Sequence, residues 1–356
     1  MIRFFRSPRL LVVILIVAAI AASSVSLRGV DQPAKHATKP RNLAIFVFEG
    51  VQIIDYTAPW EVFGHAHPND DHAFEIYTVA PKAGPITTAM GMSVNPKYTF
   101  ANAPKADVLV LPGGNVKPHM DDPQVKRWIQ ETTRNAEIVL SVCNGAFFLG
   151  RAGLLDGLEA TTFAGLIDEL QQAAPKARVV RDRRYVDNGK IITSAGLSSG
   201  IDGALHVIER LFGKGQAQVA ATALEYDWRP DGGYVRAMLA DRYLSGAYRA
   251  IRQFQRTVVL HEGTRDWWET RWMIDSELSP KEAIARFEKE VPPAPGWSRD
   301  GAAAATGTDV ARTVWRHRDA QGQAWTATAT FARGNDKGRL VASAVVARDG
   351  SSVSSK

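Results

Sequence analysis

Residues 141–146 read Ser-Val-Cys-Asn-Gly-Ala, and Cys143 is the only cysteine in 356 residues. An apolar run ends just before it and a helix-like segment opens just after it. A nucleophile on such a strand-to-helix turn projects over the carboxyl end of a sheet. N–H groups at a helix start favour thiolate, so the sequence predicts a thiol ionising below its free value of about 8.5. Gly145 lets the turn pack tightly. The plainer alternative is an inert buried cysteine that behaves as a small hydrophobe. A second loop, Leu111-Pro112-Gly113-Gly114-Asn115, also follows an apolar run. Adjacent glycines allow close backbone approach, and free N–H groups there can hold developing negative charge. Asp55 ends the stretch Gly50-Val51-Gln52-Ile53-Ile54-Asp55, among apolar neighbours. A half-buried carboxyl has a raised pKa and can share a proton with a nearby thiol. Its structural alternative is to cap the helix carrying Trp60-Glu61-Val62-Phe63.

These residues need a frame to bring them together. Leu43 to Phe48, Asp107 to Leu111 and Glu137 to Val142 are short, continuously apolar runs, typical of strands covered on both faces. Each leads into a helix-like segment, at 57–64, 122–134 and 144–152. Strand–helix alternation predicts an α/β, doubly wound parallel sheet. Arg184-Tyr185-Val186 and Lys190 to Thr193, joined by Asp187-Asn188-Gly189, predict a hairpin with an Asn-Gly turn. Gly203 to Phe212 and Ala217 to Leu224 read as helices.

Beyond the α/β body the pattern changes. Leu244, Ala247, Ile251, Phe254 and Val258 recur at spacings of three and four, predicting one amphipathic helix. Ser279-Pro280 opens a further short helix. Residues 293–308 are rich in Pro, Gly and Ala and read as a linker. From Val310 the chain alternates with period two, predicting a small C-terminal antiparallel β meander. Trp267, Trp268, Trp272, Trp297, Trp315 and Trp325 are expected to fasten extension and tail to the body. The expected divisions are 1–28 leader, 29–42 linker, 43–233 α/β domain, 234–292 helical extension, 293–308 linker and 309–356 β tail.

Charge points to location. Residues 1–42 hold seven Lys/Arg and one acid, leaving 36 basic and 36 acidic side chains in 43–356. A neutral body has no global field for a polyanion, so no nucleic-acid partner is expected. Arg3, Arg6 and Arg9 precede an uncharged run from Leu10 to Leu27. That pattern predicts an N-terminal signal or membrane anchor, with the body exported. One cysteine excludes an intramolecular disulfide.

The ordered set resembles the ThiJ/PfpI superfamily, the class-I glutamine-amidotransferase-like group, which implies a flavodoxin-like fold. It comprises Phe48 to Phe63, Leu111 to Asn115, Val142 to Ala146, Ala152 to Gly157 with Ala160-Thr161-Thr162, Thr193 to Gly196, and Gly200-Ile201-Asp202. The nearest subgroups are isonitrile hydratases and the ligand-sensing half of AraC-type regulators. The resemblance implies Cys143 as nucleophile, Asp55 as its acidic partner, and Gly114 with the Asn144 N–H as oxyanion positions, flanked by Gly113, Asn115 and Gly145. Many members carry a histidine where Phe163 or Asn144 stands here, so no Cys–His dyad is expected. His119, Phe163 and Gly196 are expected to border the pocket. His65, His67 and His72 read as a surface loop. No metal or cofactor is expected, the ligand is a small molecule, and the resemblance implies a homodimer. Three functions compete: hydration or hydrolysis of a small carbon–nitrogen compound, non-catalytic metabolite sensing, and thiol-based stress response.

Overall fold

The computed structural model describes residues 39–351, apart from 69–70, 233, 292–294, 302–304, 307 and 337. The leader expected over 1–28 therefore lies outside the described residues. Among the described residues, no helix is long and apolar enough to cross a membrane.

Seven strands form the first sheet: β1 (Arg41–Phe46), β2 (Phe74–Ala80), β3 (Tyr98–Thr99), β4 (Val108–Leu111), β5 (Ile138–Val142), β6 (Tyr185–Asp187) and β7 (Ile191–Ser194). Their order is β6-β7-β5-β4-β1-β2-β3, parallel except for the β6/β7 hairpin. The apolar runs behave as expected: every residue of β4 and β5 is buried. The helices that cover them form two packed groups. One is α1 (Ile53–Gly64), α5 (Ser199–Phe212) and α6 (Lys214–Ala223); the other is α2 (Pro123–Asn135), α3 (Ala146–Arg151) and α4 (Ile167–Ala173). The chain goes from β1 to β2 on one side and returns to β4 on the other. Such a switch point opens a crevice beyond the carboxyl ends of the strands, where ligands bind in this architecture. The loops after β1 and β4 meet there, through a Val51–Gly114 bridge and a 2.8 Å bond from the Gln52 N–H to the Gly113 carbonyl.

The region after the α/β body departs from expectation. The single amphipathic helix expected from Leu244 to Val258 is broken. A 3-10 turn (Ala240–Leu244), α7 (Ser245–Ala250) and a second 3-10 turn (Ile251–Gln253) lead into strand β8 (Arg256–Gly263). The β-branched pair Thr257-Val258 followed by Val259 favours a strand, and Val258, assigned to the apolar face of that helix, is 55% exposed on it. β9 (Trp267–Asp275) pairs with β8 on one side and with β13 (Arg339–Arg348) on the other, over nine residues. With β10 (Trp297–Arg299), β11 (Val310–Arg318) and β12 (Ala324–Arg333), the antiparallel order is β8-β9-β13-β12-β11-β10.

Extension and tail are therefore one packed unit. The extension supplies two of the seven strands described, and the expected 293–308 linker holds β10 and the short Ala305–Thr306 strand, both bonded to β11. Helix α8 (Pro280–Glu290) opens with a Ser279/Glu282 capping box and buries Ile284 and Phe287. These join Trp268, Trp272, Ile274, Trp325, Phe331 and Val346 in a second core. The tryptophans thus bind extension to tail, not to the body. Contact with the body runs through a small cluster of Ile167, Val235 and Ala237.

Candidate functional site

Cys143 sits at the end of β5 with φ +58°, a left-handed conformation that a side-chain-bearing residue adopts at a cost of roughly 1–3 kcal/mol. The surrounding backbone holds it there. Its N–H donates to the Ala195 carbonyl at 3.2 Å, and its carbonyl accepts from Thr162 Oγ1 at 2.8 Å. Gly145 has to be glycine, because a Cβ there would fall 2.0 Å from the Leu111 carbonyl oxygen. This is the elbow that the sequence predicts.

Asp55, the third residue of α1, is fully buried. It does not cap the helix: Gln52 is the N-cap and makes no side-chain bond. Asp55 Oδ2 accepts the Gly113 N–H at 3.1 Å, while Oδ1 is buried with no hydrogen-bond partner. Burial pushes its pKa up to about 6, against the Gly113 N–H, the Cys143 thiol and the Leu197 N–H, all of which favour the ionised form.

The thiol corrects the expectation of a lowered pKa. Burial, and then the negative charge of Asp55, push Cys143 well above its ordinary range, and the Asn144 and Leu197 N–H groups offset only part of this. The helix effect is weak because α3 is six residues long and follows a 3-10 turn, and the cysteine is 8% exposed. Two buried acids side by side resist a second negative charge, so the pair carries a single one at neutral pH.

The oxyanion expectation is also corrected at one position. The Gly114 N–H is engaged: it donates to Asn144 Oδ1 at 2.8 Å, and Asn144 Nδ2 returns a 2.8 Å bond to the Gly114 carbonyl. That exchange clamps the loop after β4 onto the elbow. It also requires Gly113, since a Cβ there would fall 2.1 Å from Asn144 Oδ1. The N–H groups that face the sulfur are those of Asn144 and Leu197. Leu197, at φ +57°, is a second strained residue beside the first, and nothing in its sequence neighbourhood marked it.

Other expected pocket residues divide. The Asn115 N–H donates to the Gly50 carbonyl at 2.9 Å, and the residue joins the two loops without entering the site. His119 Nε2 lies 3.0 Å from the Glu49 carbonyl, with its ring against Phe48, so it fastens the loop after β1. Phe163 and Gly196 do border the thiol: a Cβ on Gly196 would come 2.4 Å from Phe163 Cδ2 and 3.4 Å from Cys143 Sγ. Beyond them opens a cleft of about 220 Å³, walled by 161–164, 183–184, 195–199 and 234–237. Sequence reading missed Arg183, Arg184, Tyr234 and Arg236 in that wall, since two segments distant in sequence bring them together. Arg184 Nη2 also pairs with buried Asp202 at 2.5 Å, and the Tyr226 hydroxyl donates to the same carboxylate at 3.1 Å. His67 and His72 meet edge to face in their loop.

The comparisons agree with this geometry. Residues 41–210 match the DJ-1/PfpI family. Over 188 residues the chain is 35% identical to the isonitrile hydratase of Pseudomonas putida, covering 52% of this chain and 78% of that protein. It is 28% identical over 195 residues to the HTH-type transcriptional regulator CdhR of Pseudomonas aeruginosa, covering 54% of this chain and 58% of the regulator. A crystal structure of a ThiJ/PfpI family protein from Pseudomonas syringae superposes with a TM-score of 0.50 at 27% identity, over 60% of this chain and 86% of that one. A parallel sheet with a strained elbow cysteine, an acid from the first turn of α1 and these relatives together place the chain in the DJ-1/PfpI family.

Proposed function

We propose that the protein is a cysteine-dependent hydratase of small carbon–nitrogen compounds of the isonitrile type, acting outside the cytoplasm. The observation that carries this reading is Asp55: a buried carboxyl with no cationic partner, facing a thiol on a strained elbow. With a pKa pushed up to about 6, Asp55 accepts and returns a proton near neutrality. Sγ bonds to the terminal carbon of the isonitrile while Asp55 takes the thiol proton and delivers it to that same carbon, giving a thioimidate. Water then adds to the thioimidate carbon. One water proton goes to the nitrogen, the carbon–sulfur bond then breaks as the remaining hydroxyl proton passes to sulfur, and the products are an N-substituted formamide and the restored thiol. The Asn144 and Leu197 N–H groups are placed to stabilise the sulfur and the developing charge.

The similarity to an isonitrile hydratase supports this reading, and the regulator similarity supports a second one, ligand sensing without turnover. Formamide release from cyclohexyl isocyanide by the purified chain, absent in Cys143→Ala, tests the first. Ligand binding without turnover in both proteins favours the second. The export reading rests on Arg3, Arg6 and Arg9 before the apolar run, and an alkaline phosphatase fusion after residue 42 tests it. The homodimer is part of the same proposal and is checked by sedimentation.

A further inference from the structure

The cleft beyond Phe163 has a lining that the hydratase reading does not use. It carries three arginines, Arg183, Arg184 and Arg236, and no acidic side chain. Two of them have acidic partners behind the wall. Arg184 is tied to Asp202 and Arg236 to Asp241, each at 2.5 Å, which fixes their guanidinium groups in place. Even so, Arg184 Nε is buried with no hydrogen-bond acceptor. A buried guanidinium N–H without an acceptor costs stability unless something fills it. Arg183 has only a loose, exposed contact with Asp182 at 3.9 Å. Guanidinium groups fixed in this way, together with the loosely held charge of Arg183, suit a carboxylate, which they bind in a bidentate manner.

The remaining lining combines the hydroxyl residues Thr161, Thr162, Ser198 and Ser199 with apolar and aromatic side chains, and it lies close to the nucleophile. Phe163 stands against Gly196, which separates it from Cys143 Sγ. Tyr234 is 60% exposed across the cleft. Tyr234 and Arg236 lie beyond the 41–210 stretch that matches the family, so this wall comes from the C-terminal unit. Val235 and Ala237 pack on Ile167 and seat it, while Arg236 lies over the Trp268 ring. The second unit thereby reaches the site of the first.

We infer that this cleft is a substrate-recognition site for a carboxylate-bearing small molecule with a flat or apolar body, its anion held by Arg183, Arg184 and Arg236 and its body set between Phe163 and Tyr234, beside Cys143. The inference rests on the hydratase reading for the reaction but not for the binding.

Calorimetric titration of the full chain with benzoate and with benzamide at low salt tests it. Benzoate should bind at least ten-fold tighter than benzamide, and Cys143→Ala should keep that preference. Arg183→Gln, an exposed change that leaves the fold intact, should erase most of it, and Tyr234→Ala should weaken both ligands. Equal or absent binding of the two, or a preference that survives both Arg183→Gln and Arg236→Gln, overturns the inference. Turnover of 4-isocyanobenzoate against phenyl isocyanide then separates the two readings. A benzoate preference without hydration of either leaves the anion site standing and removes the hydratase. Hydration of phenyl isocyanide without a benzoate preference does the reverse.

Discussion

Two buried carboxylates sit on helices of the same layer and do different work. Asp202 on α5 is 2% exposed and has the Arg184 guanidinium and the Tyr226 hydroxyl as partners. Asp55 on α1 is equally buried, yet its partners are the Gly113 and Leu197 N–H groups and a thiol, none of them a cation. Burial raises both pKa values. In Asp202 the cation and hydroxyl oppose that rise and lock the group in place. In Asp55 no cation does, and the proton stays near neutrality and beside the sulfur. What makes a buried acid reactive here is the partner it lacks.

Substitutions should separate the two. Asp55→Asn should lower formamide turnover by roughly 10²–10⁴-fold, the usual range for removing a general acid–base group, and Cys143→Ala should abolish it. Asp202→Asn should leave turnover within a few-fold but destabilise by roughly 3 kcal/mol or more, because Arg184 loses its charge partner. Denaturant titration and initial rates on both variants read this out. A turnover loss in Asp202→Asn as deep as in Asp55→Asn would erase the distinction.

The pH dependence of stability sharpens it. The folded-state pKa of Asp55 is about 6 against an ordinary 3.8. The folded protein thus holds the proton more tightly, and stability is lost as pH rises from below 3.8 through about 6. Above that window ionised Asp55 costs on the order of 3 kcal/mol. Asp55→Asn should therefore be more stable than wild type at pH 8 by about that amount, and the gain should vanish at pH 4. Denaturation midpoints at the two pH values check this. The smallest effect is expected at the elbow: Thr162→Val, which removes the hydroxyl bond to the Cys143 carbonyl, should cost about 1 kcal/mol and slow turnover modestly.

The α/β body was legible because its signals are local. β4 is an unbroken apolar run, β1 and β5 are largely apolar, and the Asn188-Gly189 turn announces its hairpin. The candidate site was legible at Cys143 and Asp55 from their place beside apolar runs, and at Gly113, which the close approach of Asn144 and Asp55 demands. It was not legible at Gly114, whose N–H is captured by a side chain 30 positions on, nor at Leu197. The direction of the thiol pKa was also hidden, because it depends on burial and on a neighbour distant in sequence. In the second unit, Trp268, Thr270, Trp272 and Ile274 alternate and mark β9, a period-two signal within reach of sequence reading. The helical spacing from Leu244 ran across a strand boundary into Val258 and so masked its partner β8.

The central claim is that Asp55 and Cys143 share one negative charge and one mobile proton. The most direct test is the rate of Cys143 alkylation by a neutral reagent, iodoacetamide, from pH 4 to 10 in wild type and in Asp55→Asn. In wild type the rate should rise through an inflection near 6 as Asp55 ionises and can accept the thiol proton. Full thiolate chemistry should appear only above the ordinary cysteine value of about 8.5. Asp55→Asn should lose the inflection near 6 and, without the neighbouring charge, bring the thiolate inflection down. A single inflection at or below about 8.5 in wild type, unchanged by Asp55→Asn, is an ordinary thiol and would contradict the account.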